Sequence, residues 1–370
     1  MVKSLAAIAR TPHEAMSYEE IVLDEPRPDE VLVEVMAAGI CHTDLAARDQ
    51  YIPIPLPAVL GHEGAGIVRA VGSAVTTVEP GDRVVLSQAF CGSCARCASG
   101  DVTACPNSLM LGFGGVRGDG SPTLADNSGR PVSGGFLGQS SFAQYALARE
   151  ANVVAIPETL PWAIAAPLGC GVQTGAGTVL NALKPDPAHS VVVFGAGTVG
   201  LSAVMAAKYL GCQTVIVVDL QPARLALAQE LGATHVVDAS ASDPVPLIAE
   251  ITSGGADFVI EASGAPTAGP AAVASLGVRG TCALVGAPPF GTKLELDWIN
   301  IVSSRTVRGV VFGGGHPADT IAALLEMRSS GALPVERLVR TYPFDAIDKA
   351  IADMESGSTV KPVLLAPAAG

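Results

Sequence analysis

The chain has 370 residues, 49% hydrophobic and 15% charged, a balance that suits two domains with large cores and argues against disorder. Twenty-two basic and 35 acidic residues leave a net charge of −13 with no Lys/Arg run, which argues against nucleic acid as a partner. No apolar run reaches the roughly 18 residues that span a bilayer. The N-terminal stretch turns polar at Thr11-Pro12-His13-Glu14 and lacks a signal-peptide shape, so the expectation is a cytoplasmic protein with no membrane partner.

Residues 1 to about 90 read as short strands and turns. Strands are expected at 31–35, 67–72 and 83–86, with 52–57 a proline-stiffened loop and Pro80-Gly81-Asp82 a turn. Close spacing of this kind predicts an antiparallel, barrel-like module. Next come Cys91, Cys94, Cys97 and Cys105. Such spacing folds one loop around one ion, and four thiolates leave a tetrahedral zinc no open position, as in a closed structural site. The competing readings are two local disulfides or four free thiols. A close CxxC pair strains a disulfide, and a cytosolic setting reduces it.

Residues 106–140 are rich in glycine and turns. Strand resumes over 142–147, and 161–180 reads as helix, with Leu168-Gly169-Cys170-Gly171 placing Cys170 near a break in the pattern. The chargeless run 190–194 then reads as a buried parallel strand. It leads into Gly195-Ala196-Gly197-Thr198-Val199-Gly200, a helix over 201–210 ended by Gly211, and a strand over 214–219 that closes on an acid. Strand, GxGxxG, helix, strand and acid together are the dinucleotide fingerprint. Gly195, Gly197 and Gly200 let the backbone approach a pyrophosphate, with Thr198 and Val199 in the same cofactor-binding stretch, and the N-terminus of the helix that follows favours it. Asp219, 19 residues after Gly200, is placed to take the adenosine ribose hydroxyls and to repel a 2′-phosphate, so the reading is NAD over NADP. A glycine turn in an ordinary α/β unit is the alternative, and both strands and the acid argue against it. Helices at 222–231 and 270–276 and strands at 235–238, 257–261 and 281–286 extend this into a doubly wound sheet. A helix over 320–328 and a strand-like end over 360–365 follow. The expected division is 1–171, 172–312 and a return over 313–370.

Three further metal-ligand types lie apart: Cys41, His62 and Cys170, each beside glycine. Two thiolates and an imidazole would leave zinc an open position for water or substrate. Spacing alone allows each to be a buried structural residue instead. Asp44 and Glu63 are candidates to stand behind the ligands, a carboxylate on His62 fixing its tautomer. They are otherwise ordinary turn acids.

Gly61-His62-Glu63-Gly64-Ala65-Gly66, the four-cysteine lobe, Gly169-Cys170-Gly171 and the fingerprint at 195–200 stand in a familiar order and separation. Over essentially its whole length the chain resembles the zinc-containing medium-chain alcohol dehydrogenases. Within them it is most similar to the bacterial aryl- (benzyl-) alcohol dehydrogenase branch, a likeness to which residues 136–142 add. The resemblance implies an α/β protein, a GroES-like partly open β-barrel catalytic domain joined to a Rossmann doubly wound parallel sheet. It implies two zinc ions per subunit: a catalytic one on Cys41, His62 and Cys170, and a structural one on Cys91, Cys94, Cys97 and Cys105. Glu63 would stand behind the catalytic metal and Asp44 behind His62. Thr43 would hydrogen-bond the substrate alcohol and pass on its proton. His42 and Lys361 would reach the cofactor phosphates, and Arg224 the adenosine ribose. Ser87, Phe136, Leu137, Ala287 and Phe312 would line the substrate pocket, with small Ser87 and Ala287 leaving room for a ring or a terpene chain. Many relatives carry a histidine five residues after the first zinc cysteine. Here that position is Ala46, so the relay from Thr43 ends in water or another group such as His42.

The implied reaction is reversible oxidation of a primary aromatic, allylic or terpene alcohol, such as benzyl alcohol, by hydride transfer to NAD. The implied partners are a small-molecule alcohol or aldehyde and further copies of the chain, in a dimer or tetramer. A formaldehyde-type dehydrogenase acting on S-(hydroxymethyl)thiols is the alternative within the family, and it needs a basic cluster that this sequence does not offer. A catalytically silent dinucleotide-binding protein is the non-enzyme alternative, which the joint presence of Cys41, His62, Glu63 and Cys170 argues against.

Overall fold

Two sheets of mainly antiparallel strands form the first of two units in the computed structural model, which describes residues 1–366. This unit comprises Met1–Cys170, His316–Ile321 and the described residues from Val335 onward. Its seven-stranded sheet runs in the order Val153–Ala155, Arg83–Leu86, Gly64–Val71, Glu30–Gly39, Lys361–Leu365, Val339–Pro343, and Tyr145–Arg149 also pairs with Glu30–Gly39. The five-stranded sheet contains Val2–Ala9 and Ser17–Leu23, and an Ala6–Ala143 bridge ties it to the loop before Tyr145–Arg149. This is the partly open, GroES-like barrel implied by the sequence.

The second unit, Gly171–Gly315 with Ala322–Pro334, carries six parallel strands. Their order is His235–Asp238, Thr214–Asp219, Ser190–Phe194, Ala256–Glu261, Leu276–Leu284, Thr306–Gly309. Every residue of Ser190–Phe194 is buried, because parallel strands are covered on both faces, and this is why the run shows no polar alternation. The return to the first unit is interrupted: 322–334 packs with the second, where the sequence suggested one segment from 313.

Several element boundaries differ from expectation for local reasons. The helix expected over 161–180 is three pieces, Trp162–Leu168, Gly171–Gly177 and a π-turned Thr178–Leu183. Pro167 withholds an N–H inside the first piece, and Cys170 falls in the gap that follows. The strand expected over 142–147 begins at Tyr145, because Phe142 is instead held by its N–H to the Leu60 carbonyl, 2.9 Å. The helix expected over 270–276 is Ala268–Ala274, so the next strand starts at Leu276 rather than at 281. Helix Pro244–Ile251 has two prolines and no counterpart in the sequence reading; Asp243 caps it by accepting the Val245 N–H, and Pro244 occupies its first turn. Helix His42–Arg48 was likewise unforeseen, and it carries the residues that matter most below. Among the described residues no single helix is long and apolar enough to cross a membrane.

Candidate catalytic metal site and dinucleotide loop

Strand Glu30–Gly39 ends in a turn, and Cys41 precedes helix His42–Arg48. Asp44, the third residue of that helix, is fully buried. Its Oδ2 accepts the Cys41 N–H (2.8 Å), and its Oδ1 accepts the Gly61 N–H (3.1 Å) and meets His62 Nδ1 (2.8 Å). One carboxylate thus closes the helix start and orients the imidazole, leaving Nε2 to face the other way. That Nε2 is buried and carries no hydrogen bond. It points into a group in which Cys41 Sγ, a Cys170 Sγ, a Glu63 oxygen and the imidazole nitrogen lie within 4.8 Å of one another. A buried imidazole nitrogen left without a partner, beside two sulfurs, fits zinc.

Charges inside this group bear on one another. The hydrogen bond with Cys170 holds the Cys41 thiol well below its ordinary value against burial, and His62 helps. The same bond, with burial, lifts Cys170 well above its own. Burial opposes the charge on His62, yet Asp44 more than offsets it, so the imidazole titrates well above the usual range. Burial pushes Glu63 up to about 7 against the pull of Lys361. Loading a divalent cation on these donors therefore displaces protons.

Glu63 packs against Gly39 so closely that any Cβ there would collide with its carboxylate, which explains that glycine. Lys361 is the correction to the implied site. Its ammonium is buried and donates to Glu63 Oε1 (2.9 Å) and the Ile40 carbonyl (2.8 Å), so its bonds are made beside the metal-ligand group. The cause is its position at the start of Lys361–Leu365, a strand inside the seven-stranded sheet.

Thr43 Oγ1 lies 3.7 Å from Cys41 Sγ, and His42 is exposed at the helix start. The Phe136 ring packs edge-on against His62, centroids 5.6 Å apart, with Leu137 buried beside it. Ser87 is fully buried, and its hydroxyl is spent on the Gly169 carbonyl, 3.1 Å. Ala287 and Phe312 belong to the second unit, on an exposed loop and in the short turn Phe312–Gly314. Gln139, a residue with no expectation attached, also holds the site: it is buried and bonded to the backbone on both sides of Glu63. A glutamine in a glycine- and serine-rich loop gives no sequence signal for that.

The four-cysteine lobe is compact. Cys91–Cys97, Cys94–Cys97 and Cys94–Cys105 sulfurs stand 3.9, 3.5 and 4.0 Å apart, close to the ~3.8 Å edge of a tetrahedron with ~2.3 Å arms. No disulfide is present, and backbone N–H groups of Cys91, Cys94 and Cys97 point at sulfurs of the set. The Ser93 N–H, the Asn107 side chain and the Cys94 N–H bring Cys91 down to about 5, while burial pushes Cys97 up to about 12.

In the second unit Gly195 adopts φ +95° between the first strand and helix Thr198–Tyr209, a conformation that strains any other residue. Around Gly197 there is open space, so the backbone there is free to meet a ligand. Asp219 Oδ2 accepts the Ala196 N–H (2.7 Å), which sets the carboxylate beside the fingerprint loop. Arg224 is half-buried on helix Pro222–Leu231.

Comparison with known proteins places the chain in a family. Residues 27–158 match the alcohol dehydrogenase GroES-like domain and residues 198–329 the zinc-binding dehydrogenase domain. The chain belongs to the zinc-containing medium-chain alcohol dehydrogenases, which bind zinc and a nicotinamide dinucleotide. It is 41% identical to geraniol dehydrogenase of Castellaniella defragrans, over 98% of both chains. The crystal structure of benzyl alcohol dehydrogenase from Acinetobacter calcoaceticus superposes with a TM-score of 0.95 at 43% identity, covering 99% of this chain and 100% of that one. S-(hydroxymethyl)glutathione dehydrogenase of Saccharomyces cerevisiae is 34% identical, over 98% of this chain and 96% of the relative.

Proposed function

We propose that the protein oxidises a primary aromatic, allylic or terpene alcohol to its aldehyde, with NAD as hydride acceptor. The observation that carries this reading is His62 Nε2, unpartnered and aimed into the group formed with Cys41 and Cys170. In this reading those three residues hold the catalytic zinc, and Lys361 tethers Glu63 just behind them. When bound, zinc polarises the alcohol oxygen and the dinucleotide accepts hydride. Asp44 keeps the imidazole in one tautomer and orientation. Thr43 Oγ1 takes the alcohol proton. Phe136 and Leu137 form an apolar wall beside His62 that excludes water, and Ala287 and Phe312 are the second unit's proposed substrate contacts. Asp219 selects NAD through the ribose hydroxyls, Arg224 flanks the adenosine side, and exposed His42 takes the pyrophosphate. Ala46 leaves the relay beyond Thr43 to water or His42.

The 41% and 43% relatives that act on geraniol and benzyl alcohol favour this substrate class over the 34% relative that acts on a glutathione adduct. We further assign the protein to the cytoplasm as a homo-oligomer. Its parallel sheet ends at Thr306–Gly309, an edge with no partner strand among the described residues, and Phe290, Trp298, Ile299 and Val302 are exposed in the same unit. The decisive experiment is a substrate panel with NAD (benzyl, cinnamyl, geranyl and ethyl alcohols and an S-hydroxymethyl-thiol adduct) together with a zinc count. Two zinc ions per chain and highest kcat/KM on benzyl, cinnamyl or geranyl alcohol are expected. One zinc per chain would mean a silent binding protein, and a preference for ethanol or the adduct would move the substrate class.

A further inference from the structure

Two backbone groups beside Glu63 lie outside the strand ladders. The Glu63 carbonyl accepts the Gly39 N–H across the sheet, 2.9 Å. On the opposite side, the ladder between Gly64–Val71 and Arg83–Leu86 stops at the Ala65–Val85 pair. Beyond that pair the His62 carbonyl and the Gly64 N–H have no strand to bond, and buried backbone groups of this kind are rarely left open. The Gln139 side chain supplies both partners: Nε2 donates to the His62 carbonyl and Oε1 accepts the Gly64 N–H, each at 2.8 Å. A primary amide offers the same donor and acceptor as a peptide group, so one side chain stands in for the missing strand.

The loop that presents Gln139 is itself fixed. Leu137, Gly138 and Ser140 all have left-handed backbones. Ser140 Oγ accepts the Phe136 N–H (2.9 Å) and donates to the Val59 carbonyl (2.6 Å), and Ser141 and Phe142 N–H groups bond the Gly61 and Leu60 carbonyls, both at 2.9 Å. Gln139 is 2% exposed, so its amide has no competing water. We propose that Gln139 is a positioning residue for the catalytic metal: it clamps the backbone on either side of Glu63 and so fixes where the His62 imidazole and the Glu63 carboxylate point. This rests on the reading of Cys41, His62 and Cys170 as that metal's ligands. Gln139 touches neither metal nor substrate and acts only through the two peptides it bridges.

The test compares Gln139→Met, which keeps the volume and loses both bonds, with Gln139→Glu, which keeps the acceptor. The full-length parent is first shown to hold two zinc ions; a parent with one would defeat the function reading, not this proposal. Zinc release to a chelator is then followed in each protein, with the four-cysteine lobe as the internal standard, alongside the absorption of the cobalt-substituted site. Gln139→Met should release one zinc about 10–100-fold faster, with the lobe's zinc unchanged, an altered cobalt spectrum and a fall in kcat larger than any change in KM for NAD. Gln139→Glu should fall between Met and parent. If Gln139→Met does not fold, the same readouts on Gln139→Glu decide. A folded variant with parental zinc release and cobalt spectrum, or one in which both zinc ions loosen equally, would overturn the proposal.

Discussion

Thr43 stands one residue into a helix whose cap is Cys41, a proposed zinc ligand, so its hydroxyl is fixed by the same turn that fixes Cys41. Thr43→Ala removes that hydroxyl without touching any ligand. It should lower kcat by about 10²–10⁴-fold, as loss of a positioned proton acceptor does, while the Kd for NAD measured by fluorescence titration stays within about twofold. Turnover equal to the parent at neutral pH would remove Thr43 from the relay. Asp219→Gly removes the carboxylate beside the fingerprint loop, and the NAD-over-NADP ratio of kcat/KM should drop by about tenfold or more, ~1.4 kcal/mol. Residues of this kind were legible in the sequence because their chemistry is uncommon: cysteine and histidine beside glycine, an acid at a strand end. Lys361 and Gln139 were not. What each does depends on a neighbour 298 or 77 positions away and on burial, and neither is written in the local sequence.

The glycine-rich stretch 106–140 has little periodic pattern, yet it is held by one buried ion pair. The Arg117 guanidinium bonds both oxygens of Glu30 (2.7 and 3.0 Å), Asp24 (3.0 Å) and the Pro122 carbonyl (2.7 Å). Glu30 opens the central strand Glu30–Gly39, so the pair ties a loop to the strand that leads to Cys41, the proposed zinc ligand. Arg117→Met should destabilise the first unit by about 3–5 kcal/mol, because it leaves the Glu30 charge buried and unpaired. Adding Glu30→Gln should restore most of that loss, as read by urea unfolding. If the two changes simply add, the pair is not coupled. At this scale the strands and the fingerprint helix were legible from apolar runs and glycine punctuation. The helix His42–Arg48 was not, because Asp44 and Thr43 read equally as loop residues until the Cys41 cap is seen. The break around Cys170 was legible through its glycines, though not the split that Pro167 imposes ahead of it.

At the scale of the molecule, the proposed homo-oligomer rests on the edge at Thr306–Gly309, unpaired among the described residues, and on the exposed Phe290, Trp298, Ile299 and Val302. Trp298→Glu combined with Val302→Lys should shift light-scattering mass toward a single chain, while the parent runs as a dimer or larger. A parent that is monomeric at micromolar concentration would end the assignment. The division into units was legible in outline, since helix–strand alternation begins sharply near 190, but the interruption at 322–334 depends on packing that no local pattern reports.

The first unit is assembled from separated stretches, whereas Gly171–Gly315, the body of the second, is continuous. During vectorial synthesis the dinucleotide unit can therefore complete itself while its neighbour still waits for Lys361–Leu365, the strand that delivers an ammonium to Glu63. Until that strand is added, the buried Glu63 carboxylate has no ammonium beside it. The order in which the two units are completed follows from the order of their segments along the chain.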